Sequence, residues 1–241
     1  MPNRDQVVKQ VQAAIDNEAR MDAENNHIGV TFSDGTVMLV GEVSHIAAKK
    51  RALKAAAGVD GVTSVTDHLR VAAGHTPGDG ATRDAVCQLL LRHIDFRNCG
   101  LHVLIKGQLE SLRNAGPEPC GRIAVVVEDG VVTLSGEVIS LSHKRLAGVL
   151  AWWAQGCRDV VNELAVVPGE EDNDAEIVDA LHLVLEADPY VHADRIGIGS
   201  RDHVVTLEGV VSSNGEKSRA EMDAWYLYAV DGVVNRLEVI R

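Results

Sequence analysis

Apolar residues follow two rhythms along this chain, and the rhythms alternate in the same order three times. Val7, Val8, Val11, Ala14 and Ile15 recur at the spacing of one helix face and predict a helix over 5–23. Residues 27–32 then alternate like a half-buried strand, Asp34-Gly35 makes a two-residue turn, and 37–43 returns. Ser44 stands where a cap would start a second helix running to about Ala57, and Gly58 or Gly61 can end it. Residues 62–71 form a third strand, so the order is α-β-β-α-β. The same reading gives helix, strand, strand, helix, strand at 82–96, 123–127, 131–138, 142–155 and 160–167. It recurs at 174–187, 196–200, 204–211, 214–228 and 233–240.

The recurrence extends to single residues. Asp34-Gly35-Thr36-Val37-Met38-Leu39-Val40-Gly41-Glu42-Val43 is repeated as Asp129-Gly130-Val131-Val132-Thr133-Leu134-Ser135-Gly136-Glu137-Val138. The third version runs from Asp202 through Val205, Leu207 and Gly209 to Val211, with His203 in place of the turn glycine, which predicts another turn type there. Counted from Gly41, Gly136 and Gly209, the eighth residue is Lys49, Lys144 and Lys217. The twenty-eighth is Leu69, Leu164 and Leu237. A shared register over this distance marks three copies of one unit. The expected fold class is α+β, three tandem two-layer modules in which two helices cover a small sheet. The modules are expected at 1–72, 81–167 and 173–241, joined by a Gly- and Pro-containing linker at 72–80 and an acidic one at 168–172. The middle copy carries an insertion near 99–121 that the repeat does not explain.

Composition narrows the picture. Forty-six per cent of the 241 residues are hydrophobic and mean hydropathy is near zero, as in a folded globular chain. No apolar run reaches the length of a membrane span, and the polar start Met1-Pro2-Asn3-Arg4-Asp5-Gln6 has no secretory h-region, so a cytoplasmic location is expected. Cys87, Cys99, Cys120 and Cys157 all fall in the middle copy, which predicts reduced thiols rather than a framework of bridges. The net charge of −12 is concentrated at 168–241, where 6 Lys and Arg face 16 Asp and Glu. That balance argues against nucleic acid as a partner.

The quoted hairpins, together with Val161-Asn162-Glu163-Leu164-Ala165-Val166 and Gly232-Val233-Val234-Asn235-Arg236-Leu237-Glu238-Val239, resemble the BON domain. This module is found in bacterial osmotic-stress and envelope proteins. The resemblance implies non-catalytic binding units linked to stress adaptation, with phospholipid surfaces among the ligands proposed for the family. A cytoplasmic relative senses potassium, which leaves an ion sensor as an alternative. The pattern residues are turn, core and glycine positions, so the resemblance transfers no ligand site.

Candidate chemistry is sparse. No GxSxG, P-loop, GxGxxG or HExxH occurs, and no cofactor is implied. Cys87, His93, Cys99, His102 and Cys120 match no zinc spacing. The strongest basic cluster is Lys49, Lys50, Arg51 and Lys54, with Lys144 and Arg145 as its echo in the second copy. These six are the expected contacts to an anionic membrane surface. Aromatics gather near the end of the second helix of copies two and three. Adjacent rings on a helix cannot all face one core, so Trp153, Trp225 and Tyr226 are the expected contacts to a protein partner or a second chain, unless they pack copy against copy. Oligomeric state is left open.

Overall fold

In the computed structural model, which describes residues 4–19, 27–74 and 77–240, the chain divides into two compact units, Met1–Gly74 and His75–Arg241. Unit 1 comprises α1 (Arg4–Ala19), β1 (His27–Ser33), β2 (Thr36–Val43), α2 (Ile46–Ala57) and β3 (Ser64–Val71). Residues 20–23, expected to extend the first helix, lie outside the described residues. Strand β2 is central, antiparallel to β1 and parallel to β3. A parallel neighbour needs a crossover, and α2 supplies it. Phe32, Val37, Leu39, Val43 and Leu69 point inward against Val7, Val11 and Ile15 of α1 and Ala48, Ala52 and Ala56 of α2. Met38, Val40 and Glu42 alternate with them on the open face of the sheet.

The repeated positions are joined to one another. The side-chain oxygens of Asp67, Asn162 and Asn235 accept from the backbone N–H of Leu69, Leu164 and Leu237 at 2.9, 3.3 and 3.1 Å. Lys49 Nζ donates to the Leu69 carbonyl at 3.0 Å, and Lys217 Nζ to that of Leu237 at 2.6 Å. Asn162 and Asn235 also donate to the carbonyls of Lys144 and Lys217. Each module thus ties its second helix to its third strand through the same columns. The repeated glycine has a different cause. Gly41, Gly136 and Gly209 have φ of 141°, 118° and 126°, and a Cβ there would lie 1.9–2.1 Å from a carbonyl oxygen of the neighbouring strand.

Two local expectations are corrected. The first module's second helix is capped by His45, whose side chain accepts from Ala48 N, rather than by Ser44. His45 aligns with Ser140 and Ser213, which cap the corresponding helices. The third hairpin does not change its turn. Asp202 and His203 have φ of 49° and 62°, matching Asp34-Gly35 at 50° and 81° and Asp129-Gly130 at 51° and 75°. His203 is held in this left-handed conformation by its ring Nδ1, 2.9 Å from the Ala229 oxygen, and by its N–H, which donates to Asp174. The same brace supports the second hairpin, where Asp79 accepts from Asp129 N and Gly130 N.

Unit 2 holds the other two modules. The second has α3 (Asp79–Arg92), β4 (Gly100–Ile105), β5 (Gln108–Arg113), β6 (Gly121–Glu128), β7 (Val131–Val138), α4 (Leu141–Trp152), β8 (Asp159–Asn162) and β9 (Ala165–Val166). The third has α5 (Asp174–Ala187), β10 (Ile196–Arg201), β11 (Val204–Val211), α6 (Asn214–Tyr226) and β12 (Gly232–Val239). The insertion is now explained: it is the β4–β5 hairpin, which widens the sheet by two strands in the order β5-β4-β6-β7-β8. Because β4 runs parallel to β6, the residues just before each strand are neighbours. Cys99 and Cys120 occupy those places and form a disulfide.

The expectation of four reduced thiols is therefore wrong for this pair. The bridge staples the one segment that the other copies lack, so its absence from them carried no information. Disulfides persist in oxidising surroundings, so the cysteines give no support to a reducing compartment. Arg113 of β5 adds a second anchor, donating to the carbonyls of Cys99, Leu91 and Phe96.

A single apolar core runs through both modules of unit 2. Helix α4 is the shared element. Leu146, Ala147, Val149, Leu150 and Ala151 are all buried, between its own sheet and α5 of the next module. The acidic linker folds back onto it. Glu170 accepts from Leu141 N at the start of α4, and Asp172 pairs with Arg145.

Candidate functional site

The basic helix of unit 1 divides into two parts. Lys49 is only 3 % exposed. Its ammonium is committed to the Leu69 carbonyl and to Asp67, 2.9 Å away, so it is a structural cation and not the surface contact the sequence suggested. Lys50 and Arg51 are half-buried and Lys54 is exposed. Lys50 and Lys54, one turn apart, share the outward side of α2. Arg51 lies against its own helix, donating through Nε to the Ala47 carbonyl.

The echo in the second module is also redirected. Arg145 is 1 % exposed and pairs with Asp172 of the linker, while its Nε donates to the Tyr228 carbonyl of the third module. A side chain so placed is a bolt between modules and cannot reach a membrane. Lys144 is half-buried, with its ammonium 5.5 Å from the Tyr228 ring centre.

The aromatic cluster is likewise internal to unit 2. Trp225 is 5 % exposed and lies in the third module, so it presents no ring to a partner. Trp153 and Tyr226 are half-buried and pack against the common core. Trp153 Nε1 donates to Asp223 of α6 at 2.9 Å, and Tyr226 stacks on Trp152 at 5.5 Å between ring centres. Of the two uses the sequence allowed, packing of copy against copy is where these rings are engaged. Tyr228 and Tyr190 are the exposed rings.

Unit 2 also carries an open cleft of about 490 Å³ beside the disulfide, lined by Ile94, Asp95, Arg97, Glu118, Ile139 and His143. Ser140 Oγ lies 2.7 Å from His143 Nδ1 and also accepts the His143 backbone N–H. Ser140 and His143 face each other because Ser140 caps α4, a geometry that helix capping explains fully. Burial holds the imidazoles of His143 and His93 below their ordinary pKa, against the opposing pull of Asp95. Cys87 is buried, and desolvation with the nearby Asp84 pushes its thiol up to about 11, unfit for nucleophilic or ligand duty. Of Cys87, His93, Cys99, His102 and Cys120, the sulfurs of Cys99 and Cys120 are bonded to each other. Among the described residues no helix is long and apolar enough to cross a membrane.

The family model described as BON domain matches residues 3–73, 100–168 and 173–241. No curated protein matches the sequence. Among solved structures, the C-terminal domain of CdsD, the structural protein of the type III secretion system of Chlamydia trachomatis, is similar at 15 % identity. That match covers 98 % of each chain with a TM-score of 0.24. A second CdsD structure is 16 % identical over 98 % of this chain and 92 % of that one, with a TM-score of 0.23. The family match spans most of the sequence in three successive blocks. The chain belongs to the BON domain family, a family of binding modules.

Proposed function

We propose, starting from that membership, that this protein binds anionic phospholipid surfaces through the outward face of α2 in unit 1. Lys50 and Lys54 form the contact and Arg51 assists. The observation that carries this reading is how charge divides between the units. Residues 1–74 hold 8 Lys and Arg against 9 Asp and Glu, half of those cations at 49–54, whereas 75–241 hold 15 against 26. Unit 2 is repelled by an anionic surface, and unit 1 offers a cationic helix face on a nearly neutral body. Each basic residue near such a surface contributes about 1 kcal/mol, so Lys50, Arg51 and Lys54 together favour binding roughly 100-fold.

Flotation with vesicles of phosphatidylserine and phosphatidylcholine tests this directly. The expected result is binding to the anionic vesicles at low salt, weakened at physiological salt. Binding should be lost in the triple variant Lys50→Ala, Arg51→Ala, Lys54→Ala. Absence of binding by the wild-type chain at low salt would remove the lipid reading.

A second reading has one observation of its own. Strand β5 is the free edge of the widened sheet, and Leu109 (61 % exposed) and Leu112 lie along it. An open apolar edge suits a protein partner that adds a strand. Salt-tolerant self-association, weakened by Leu109→Lys, would favour that reading over lipid.

A further inference from the structure

The second and third modules meet across a cluster of buried charge. Asp188 ends α5 and Asp223 lies on α6, each 1 % exposed, and the two carboxyl groups are within hydrogen-bonding reach of each other. The Asp188 carboxylate already has its donors: Tyr190 N–H at 3.0 Å on Oδ1 and the Arg219 guanidinium on Oδ2. Asp223 Oδ1 accepts from Trp153 Nε1, which projects from the end of α4 in the second module. Asp223 Oδ2 has no donor. The Arg219 guanidinium also lies 5.8 Å from the Trp153 ring and 5.3 Å from the Tyr190 ring. Tyr226, on the same helix as Asp223, and Cys157, beside Tyr226, are further titratable groups nearby.

Two ionised carboxylates are acceptors only and repel each other at this range. A proton on Asp223 Oδ2 resolves both problems, giving the orphaned oxygen a bond and Asp188 a further donor. We propose that this pair is a proton-operated clasp: Asp223 donates its carboxyl proton to Asp188, and loss of that proton sets two buried carboxylates against each other, loosening the end of α5 from α6 beside the point where α6 holds Trp153 of the second module. Burial, reinforced by the Asp188 charge, pushes the Asp223 carboxyl up to about 8 against the opposing pull of Trp153 and Arg219. The folded chain therefore keeps a proton that the unfolded chain releases above about pH 4. The stability contributed by the clasp is complete below that value and is lost as pH rises through about 8.

The test is the indole N–H resonance of Trp153 in the full chain, assigned with Trp153→Phe and followed from pH 6 to 10. Amide exchange along α4, α5 and α6 is measured in the same range. In the wild type the resonance should titrate with a midpoint near 8. Exchange should rise by up to about tenfold between pH 7 and 9 beyond the intrinsic base-catalysed increase. Asp223→Asn keeps the acceptor for Trp153 and supplies a permanent donor to Asp188, so it should abolish both changes. Asp188→Asn removes the like charge and should lower the midpoint. A wild-type resonance that stays flat, or the same titration in Asp223→Asn, overturns the proposal. Should Asp223→Asn fail to fold, the wild-type titration and the direction of the Asp188→Asn shift decide it.

Discussion

Unit 1 and unit 2 are built from one module, yet they dispose of its outward helix surface in opposite ways. In unit 1, α2 covers its own sheet and leaves Lys54 exposed. In unit 2 the corresponding helix, α4, is covered a second time by α5, and its counterpart charges are drawn inside. Arg145 pairs with the linker and Trp153 bonds to the next module. What differs is the neighbour, not the module. The linker at 168–172 docks on α4 through Glu170 and Asp172. A motif in tandem can thus be a free surface in one copy and a joint in the next.

The sharpest way to break the comparison is to disrupt one unit and watch the other. Gly41→Ala and Gly209→Ala each force a Cβ onto a backbone carbonyl at a φ that only glycine adopts comfortably. Each should cost its own unit at least about 3 kcal/mol. Urea unfolding followed by hydrogen exchange should show Gly41→Ala weakening unit 1 alone, α1 included, and Gly209→Ala weakening unit 2 alone. Loss of both units from either change would show that they do not fold independently.

Removing the bolt is the next largest effect. Arg145→Ala leaves a cavity against Tyr228 and strands Asp172, which is partly solvated and so recovers some of its loss. A cost of about 2–3 kcal/mol is expected in unit 2, with faster exchange at the contact of α4 with α5 and no change in unit 1.

The finest distinction lies within one helix. Lys49→Met removes a charged hydrogen bond from a buried carbonyl and should destabilise unit 1 by about 2 kcal/mol. Lys54→Ala, five residues on in the same basic run, should change stability by less than about 0.5 kcal/mol. Equal costs in thermal unfolding would mean that the structural and outward lysines are not distinct.

Much of the architecture was legible in the sequence because it rests on local or periodic signals. Asp34-Gly35 and Asp129-Gly130 announced their hairpins, and the shared register of Gly41, Gly136 and Gly209 announced the repeat, since a close backbone approach admits no other residue. The columns containing Lys49 and Leu69 were visible too. Their mutual bond was not, because it spans a helix-to-strand contact that the intervening sequence does not encode locally. His203 concealed its turn for a related reason: its left-handed conformation is supported by Asp174 and Ala229, partners 29 and 26 residues away.

The sequence by itself determined the number of modules, the order of the repeated elements and which faces are apolar. Those follow from periodicity and turn chemistry, and each module repeats them. Tertiary structure alone decided which charges and rings reach solvent. Composition marks Lys49, Lys54, Arg145, Trp153 and Trp225 as surface candidates of equal standing, but burial depends on what packs over each one. For Arg145 and Trp153 that cover is the linker and the third module, and for Lys49 it is the third strand of its own sheet. The partnership of Cys99 with Cys120 was settled the same way, by two parallel strands that only the folded sheet makes neighbours.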